Sequence, residues 1–442
     1  MPSKRTLVRF DELCDIKRGA SPRPIHDWMA PEGIPWVKIS DATAAKSRFI
    51  DSTAEFIKTS GGRHSVAVHP GDFILSNSAT PGLPKIMRIN ACIHDGWLLL
   101  RNFRGITKEY CYYLLLNERP KLVAQGNGSV FTNLKTEILK SHAVEIPPIA
   151  EQAQVAEALL ALDDRIDLLR QTNATLESIA QALFKSWFID FDPVRAKAEG
   201  REPEGMDAAT AALFPAEFEE SALGLIPKGW CVSTLADHVA AERGLSYKGG
   251  GLCDAEQGLP MHNLNSVLEG GGYKYAGIKH YSGDHKERHI AVAGDVIVAN
   301  TEQGHEHRLI GFPAIVPRRY ERAIFSHHIY RVRPKPGSPL TPHFLYYTLM
   351  TPAVREQVVG CANGSTVNML KVAGLEIPQF FCPSVNAASA FEDLVNPLRQ
   401  QMEANVDRSG TLAALRDTLL PRLISGKLRL PEAAREIEEA LA

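Results

Sequence analysis

The seven cysteines of this chain are scattered, and no two form a CxxC pair. That spacing gives no thiolate zinc site and suggests a reducing compartment. No apolar run reaches the roughly 20 residues that span a bilayer, and the opening MPSKRTLVRF is no signal peptide. The expectation is a cytoplasmic protein with no membrane contact. Catalytic signatures are also missing. There is no GxxxxGK[ST] phosphate loop; SGKLRL at Ser425 has the lysine without the rest. No GxGxxG follows a strand, and there is no HExxH. NPLR at Asn396 lacks the second proline and the aromatic of an N-P-P-aromatic amino-methyltransferase site. HEH at 305–307 and HH at 327–328 come nearest to a metal site, but no carboxylate or cysteine partner lies at sensible spacing. No metal or cofactor is expected on the chain. An excess of one charge is absent too: a net charge of −2 does not by itself announce a nucleic-acid binder.

What the chain does contain is a copy of itself. GSVFTNLK at 128–135 returns as GSTVNMLK at 364–371. GIPWVKISD from Gly33 matches GLPMHNLNS from Gly258, and VAVHPGDFILSN from Val66 matches IAVAGDVIVAN from Ile290. TKEYCYYLLLN from Thr107 matches TPHFLYYTLMT from Thr341. The order is the same and the offset drifts only by loop-sized amounts. The period is far too long for a solenoid and suits a domain plus a connector. At 442 residues, with ordinary apolar and charged fractions, the chain can bury two sizeable cores.

The connectors read as helices. Val155, Leu159, Leu162, Ile166, Leu169, Asn173, Leu176, Ala180, Leu183 and Trp187 alternate steps of four and three, a heptad pattern. IPPIAEQ places prolines at its entrance. The stretch makes a rod of roughly 50 Å at ~1.5 Å per residue. LLRQ at 168–171 echoes PLRQ at 397–400, and TLESIAQALFKSW from Thr175 echoes TLAALRDTLLPRL from Thr411. The two offsets differ by one heptad, which keeps an apolar seam on one face. The seam of the second helix is Leu412, Leu415 and Leu419. Pro397 predicts a bend or restart near Asn396. Asn173, with Asn405 as its counterpart, either fixes register or marks a partly wet position.

Short alternating or apolar runs bounded by Gly, Pro and Asn read as strands: VAVHPGDFILSN, GDVIVAN and HHIYRVR. The Thr107 and Thr341 segments read as short helices with a threonine at the start. The class is α+β, each domain a mixed, twisted or barrel-like sheet with short helices. The divisions are 1–149 (first domain), 150–190 (first helix), 191–225 (a charged, Pro- and Gly-containing surface linker), 226–382 (second domain), 383–426 (second helix) and 427–442 (an acidic, solvated tail).

Two near-equal domains without a nucleophile, base or cofactor loop favour binding. Residues 308–335 hold seven Lys or Arg and one Glu, interleaved with Phe312, Tyr320, Phe325 and Tyr330. Basic density with aromatics suits phosphate contact, and Arg308, Arg318, Arg319 and Arg322 are the candidates; a solvated charged face is the alternative. In the first domain Arg23, Lys38 and Lys85 are the basic candidates, and Lys248 in the second. The Gly-Ser phrases have tight backbone and small polar side chains suited to base edges: Ser129, Thr132, Asn133 and Lys135, and Ser365, Thr366, Asn368 and Lys371. The segments after the equivalent Gly-Asp strands have the same character: Asn77, Ser78 and Thr80, and Asn300, Thr301, Gln303 and His305. Asn263 opens a similar turn.

These motifs together resemble the specificity subunits of type I restriction–modification systems. The likeness rests on GIPWVKISD, GDFILSNSATPG, NGSVFTNLKTEILKSHAVEIPPIAEQ, LESIAQALFKSWFIDFDPV, GLSYKGGG, PMHNLNSV and LRDTLLPRLISGKL, and it covers essentially the entire chain. It implies two target-recognition domains, each reading half of a split double-stranded DNA sequence, held apart by two antiparallel helices in a pseudo-twofold repeat. It implies two methylation subunits docked on the helices, restriction subunits joined through them, and S-adenosylmethionine on the methylation subunit. GSTVNMLK departs from the usual polar GSxQxNL at Val367 and Met369. The alternatives are a self-contained DNA-modifying or DNA-cleaving enzyme with a cryptic active site, and a pure scaffold.

Overall fold

A computed structural model describes residues 5–125, 133–304, 306–364 and 367–441. The two heptad stretches are helices of 40 residues each, α1 (Ile149–Phe188) and α2 (Val385–Ile424). Each is shared between two compact units. Unit 1 is Met1–Gln171 with Val406–Ala442, and unit 2 is Thr172–Asn405.

In unit 1, Leu159, Leu162, Ile166 and Leu169 share one buried cluster with Leu412 and Leu419, and Leu415 packs at its margin. Burying each such side chain contributes roughly 1.5–3 kcal/mol. Asp163 accepts a 2.7 Å hydrogen bond from the Tyr113 hydroxyl and pairs with Arg416 at 2.6 Å. In unit 2 the seam turns polar. Asn173 donates to the Met402 carbonyl at 2.9 Å, and buried Asn405 donates to Asn173 Oδ1 at 2.8 Å. Glu177 pairs with Arg399 at 2.9 Å, and the rings of Phe184 and Phe391 lie 5.5 Å apart. The partner's number falls as the first helix's number rises, so the helices run antiparallel. Leu176 is half-buried.

The expected interruption at Pro397 does not occur: α2 continues through it. Pro397 and Asp393, whose carbonyl the missing N–H would have met, are both exposed, so that carbonyl faces water.

Unit 1 carries two five-stranded mixed sheets. One orders Met29–Ala30, Glu55–Ile57, Ile34–Val37, Ala91–Ile93 and Val66–Val68. The other is centred on β1 (Phe73–Ser76) and β2 (Trp97–Arg101), with Asp15–Arg18 beside β2, and Pro84–Met87 then Phe49–Ile50 beyond β1. β1 is buried at every position, which is why its sequence, FILS, is a continuous run rather than an alternation.

Unit 2 repeats this plan. Its elements include β3 (Val296–Ala299), β4 (Thr301–Gln303), β5 (Ile329–Pro334), β6 (Ala362–Asn363) and β7 (Val367–Leu370). β3 pairs with β5 as β1 does with β2. A five-stranded sheet orders Leu252–Cys253, Lys279–Tyr281, Leu259–His262, Ala323–Phe325 and Ile290–Ala291, the same succession as in unit 1. The repeated Gly-Asp has one job in both. Gly71 and Gly294 take φ of +87° and +86° in the turn before β1 and β3. Asp72 then accepts from the His69 N–H at 2.7 Å and from Arg101 Nε at 2.9 Å. Asp295 accepts from the Val292 N–H at 2.8 Å and from Arg333 at 2.5 and 2.6 Å. Thr107 and Thr341 likewise accept from the N–H three residues on, at 3.2 and 3.3 Å, starting the helices Lys108–Gln125 and Pro342–Met350. The first of these is 18 residues long, not short.

Two segments differ from the expectation. The 191–225 stretch is not a surface linker. Phe191, Val194 and Phe214 are buried in the core of unit 2, and Phe218–Ser221 pairs with Gly224–Pro227 as a hairpin. Met206, Leu213 and Phe218 pack against the same core, so scattered apolar side chains fix a segment rich in charged ones. The tail is a helix, Leu430–Leu441, whose Ala433 and Ile437 share one face and are buried in unit 1.

Candidate nucleic-acid interface

The strand-end asparagines build the same frame twice. In unit 1, Asn77 donates its N–H to the Gly96 carbonyl at 2.9 Å and its side-chain amide to the Asp95 carbonyl at 3.1 Å; its own carbonyl accepts the Leu134 N–H at 2.8 Å. In unit 2, Asn300 donates its N–H to the His328 carbonyl at 3.1 Å and its amide to the His327 carbonyl at 3.0 Å; its carbonyl accepts the Leu370 N–H at 2.8 Å. Each Asn therefore ties the strand-end loop to the closing Leu-Lys of the Gly-Ser phrase. Both are buried. This corrects their reading as base contacts: their amides are turned inward onto backbone carbonyls and hold the loops in place.

Other candidates are corrected on the same ground. Buried Lys85 donates to the Ala45 and Ser47 carbonyls at 2.7 and 2.5 Å, and burial lowers its pKa to about 8. Buried Asn263 caps its own turn, accepting from the Asn265 N–H at 2.8 Å. Buried Thr301 lies 3.2 Å from His328 Nδ1, and buried Asn368 donates to the Gly304 carbonyl at 2.9 Å. Ser129, Thr132, His305, Ser365 and Thr366 lie outside the described residues.

Around the first frame, Ser78, Asn133 and Lys135 meet Arg18, His94 and Asp95 at a pocket of about 430 Å³. Asp95 is the pocket's anion. A 2.6 Å hydrogen bond from Ser21 holds its carboxyl below the usual range, and Arg23 at 3.2 Å adds to this. Burial lowers the pKa of His94, which leaves a neutral ring able to donate and accept at pH 7. Thr80 is half-buried, its N–H turned to the Ser78 carbonyl at 2.6 Å. Lys38 pairs with Glu55 at 2.5 Å.

Around the second frame, β4, β7 and β6 form a three-stranded ribbon. Gln303 and Lys371 are exposed on or beside it. Glu302, on its inner face, accepts three backbone N–H groups: Arg308 at 2.8 Å, Leu309 at 3.3 Å and Ile310 at 3.0 Å. Arg355 seals the same loop, donating to the Ile310 carbonyl at 2.8 Å while lying 3.3 Å from the centre of the Phe312 ring. A second cavity of about 680 Å³ is lined by Tyr247, Asn265, Lys274, Lys279 and His328. Lys248 is exposed next to it in sequence.

The basic stretch 308–335 is not one patch. Arg331 pairs with Glu242, Arg333 with Asp295, and Arg322 with Glu287 at 2.7 Å. Arg308 pairs with Glu306 at 2.7 Å. The Arg318 N–H donates to Glu403 on α2 at 2.9 Å, and Arg319 sits 5.0 Å from the Tyr275 ring. Arg318, Arg319 and Arg322 are exposed, but their partners lie on different elements. Arg18, His94, Lys274 and Lys279 were missed because no motif in their own segments marks them, and only the folded sheets bring each to its pocket; Glu302 was missed between Thr301 and Gln303 because its inward turn is not written in the sequence. Among the described residues no cluster of His, Cys, Asp or Glu fits a metal ion, and no helix is long and apolar enough to cross a membrane.

One buried frame thus stands twice in the chain, once in each unit, which makes this a duplicated protein. Residues 2–178 match the family model described as the type I restriction modification DNA specificity domain. The type I restriction enzyme MjaIX specificity subunit of Methanocaldococcus jannaschii is 24% identical over 98% of this chain and 95% of its own length. The HindI specificity subunit of Haemophilus influenzae is 24% identical over 94% of this chain and 98% of its own. A crystal structure of the type I system S subunit from M. genitalium has the same fold, with a TM-score of 0.55 at 15% identity over 95% of this chain and 96% of that one. Over residues 2–178, and at 24% identity over nearly its whole length, the chain is similar to type I restriction–modification specificity subunits.

Proposed function

We propose that the chain is the DNA-recognition subunit of a type I restriction–modification complex, with each unit reading one half of a bipartite duplex target. The observation that carries this is the doubled asparagine frame. The same hydrogen bonds hold the loops in both units, and a lysine, Lys135 or Lys371, closes each phrase, while other side chains around them differ: half-buried Ser78 and exposed Asn133 in one, exposed Gln303 and Met369 in the other. A conserved support with exchanged surfaces is what two readers of different base sequences require. The chain itself does no chemistry. It scaffolds two methylation subunits and, through them, restriction subunits; S-adenosylmethionine and the adenine chemistry belong to the methylation subunit. Exposed Leu168 and Ile179 on α1 and Leu394 on α2 support docking along the helices.

Methylome sequencing of cells carrying this chain with its partner subunits tests the reading. Replacing Asn133 and Lys135 by Ala should relax or change one half of the methylated motif, and replacing Gln303 and Lys371 only the other half. A variant that altered both halves, or left the motif unchanged, would overturn it.

A further inference from the structure

The ribbon of unit 2 turns an unexpected face outward. Along β7 the side chains alternate: Asn368 and Leu370 are buried, while Val367 and Met369 are 45% and 46% exposed. In register, Val367 stands opposite Gln303, and Met369 stands between Thr301 and Asn363. Residues directly opposite share a face. Gln303 and Asn363 are exposed as well. The outer face therefore presents two apolar side chains flanked by two carboxamides.

Gly364, between β6 and β7, takes φ +153°, and an added Cβ there would lie 2.0 Å from the Val367 carbonyl oxygen. From the inner face, the Glu302 carboxylate fastens the adjoining loop through three N–H groups.

The chemistry names its ligand. A major groove admits a two-stranded β-ribbon, such as β7 with either of its neighbours, and the thymine methyl is the apolar group on its floor. A carboxamide matches the acceptor–donor edge of adenine. Exposed Lys371, directly after β7, is available for a flanking phosphate. We infer that the outer face of β4, β7 and β6 reads A·T base pairs in the major groove, with Val367 and Met369 on thymine methyl groups and Gln303 or Asn363 on adenine. This rests on the DNA-reading function proposed above and names the base pairs one unit takes.

The test uses the full chain. It first selects duplexes from a random pool; the selected sequence is then resynthesised with each thymine in turn replaced by deoxyuridine, which removes only the 5-methyl. Binding should weaken about fourfold, the equivalent of ~0.8 kcal/mol for one buried methyl, at one or two thymines of a single half-site. Val367→Ala and Met369→Ala, with unchanged melting temperatures, should abolish that sensitivity while the other half-site is read as before. If the chain selects a sequence but no thymine is sensitive, or both variants keep the sensitivity, the inference fails and the reading function stands. If the variants instead lose a protein partner on co-purification with discrimination intact, the face is a protein-docking surface and the inference fails. If nothing is selected, the reading function itself falls, and the inference with it.

Discussion

Glu302→Ala separates loop order from loop chemistry. Glu302 touches no exposed surface of the ribbon, so its removal deletes no direct base contact. It removes the acceptor of three backbone N–H groups. Ile310 is 1% exposed, so its N–H stays buried without a partner, at about 1–3 kcal/mol. Leu309 is half-buried and Arg308 exposed; their N–H groups reach water in part or fully, and each loses at most ~1 kcal/mol. The total is about 3 kcal/mol. Arg355 retains the Ile310 carbonyl at 2.8 Å, so the loop loosens rather than leaving. For a unit of this size, ~2–4 °C per kcal/mol predicts a calorimetric transition lowered by roughly 6–12 °C. Loosening also means that ordering must occur on binding, which weakens discrimination at one half-site only. Glu302→Gln, with one acceptor oxygen left, should fall between. A transition within ~1 °C of the parent chain would show that the three bonds do not brace the loop. Equal loss at both half-sites would show that the two readers are not independent.

Leu169→Asp places an unpaired charge in the seam with Leu412 and Leu419; a loss of ~3 kcal/mol or more in urea unfolding is expected, and an unchanged midpoint would mean the seam is misassigned. Asn405→Leu takes the donor from Asn173 Oδ1 and should cost about 1–2 kcal/mol. The double change Asn173→Leu with Asn405→Leu should restore stability yet admit other helix registers, visible as mixed species in native mass spectrometry; a single species would deny the pair a register role. Lys85 carries a pH dependence of its own. Burial lowers its folded pKa to about 8 from 10.5, so between those values the unfolded chain binds the extra proton and Lys85 contributes stability that rises with pH. Lys85→Met should remove that contribution, so the variant's stability relative to the parent chain should fall as pH rises from 8 to 10; identical pH profiles would refute it.

The duplication and the seam were legible because both are patterns of spacing: Gly71-Asp72 against Gly294-Asp295, and Leu159 to Leu169 against Leu412 to Leu419. Spacing does not reveal direction. Asn77 and Asn300 end strands beside polar loops, and nothing local says that their amides turn back onto carbonyls. Lys85 alternates like a surface residue, yet it is buried with its ammonium held by the Ala45 and Ser47 carbonyls. The basic stretch lost its apparent excess because Glu242, Glu287 and Asp295 arrive from other strands and loops. In 191–225, Phe191 and Phe214 were outnumbered by charged neighbours, although burial is decided by individual aromatic side chains rather than by averages.

Unit 1 is assembled from two stretches with the whole of unit 2 between them in the chain. During synthesis unit 2 is therefore the first to have all its parts, although it comes second in sequence. The apolar edge of Leu159, Leu162, Ile166 and Leu169 emerges about 250 residues ahead of Leu412 and Leu419, a delay of roughly 10–50 s at ~5–20 residues per second. For that interval the growing chain offers a sticky, half-made helix seam to its surroundings. Chaperone dependence and aggregation on overexpression should track this wait, and joining the 406–442 segment ahead of residue 5 through a flexible linker should shorten it.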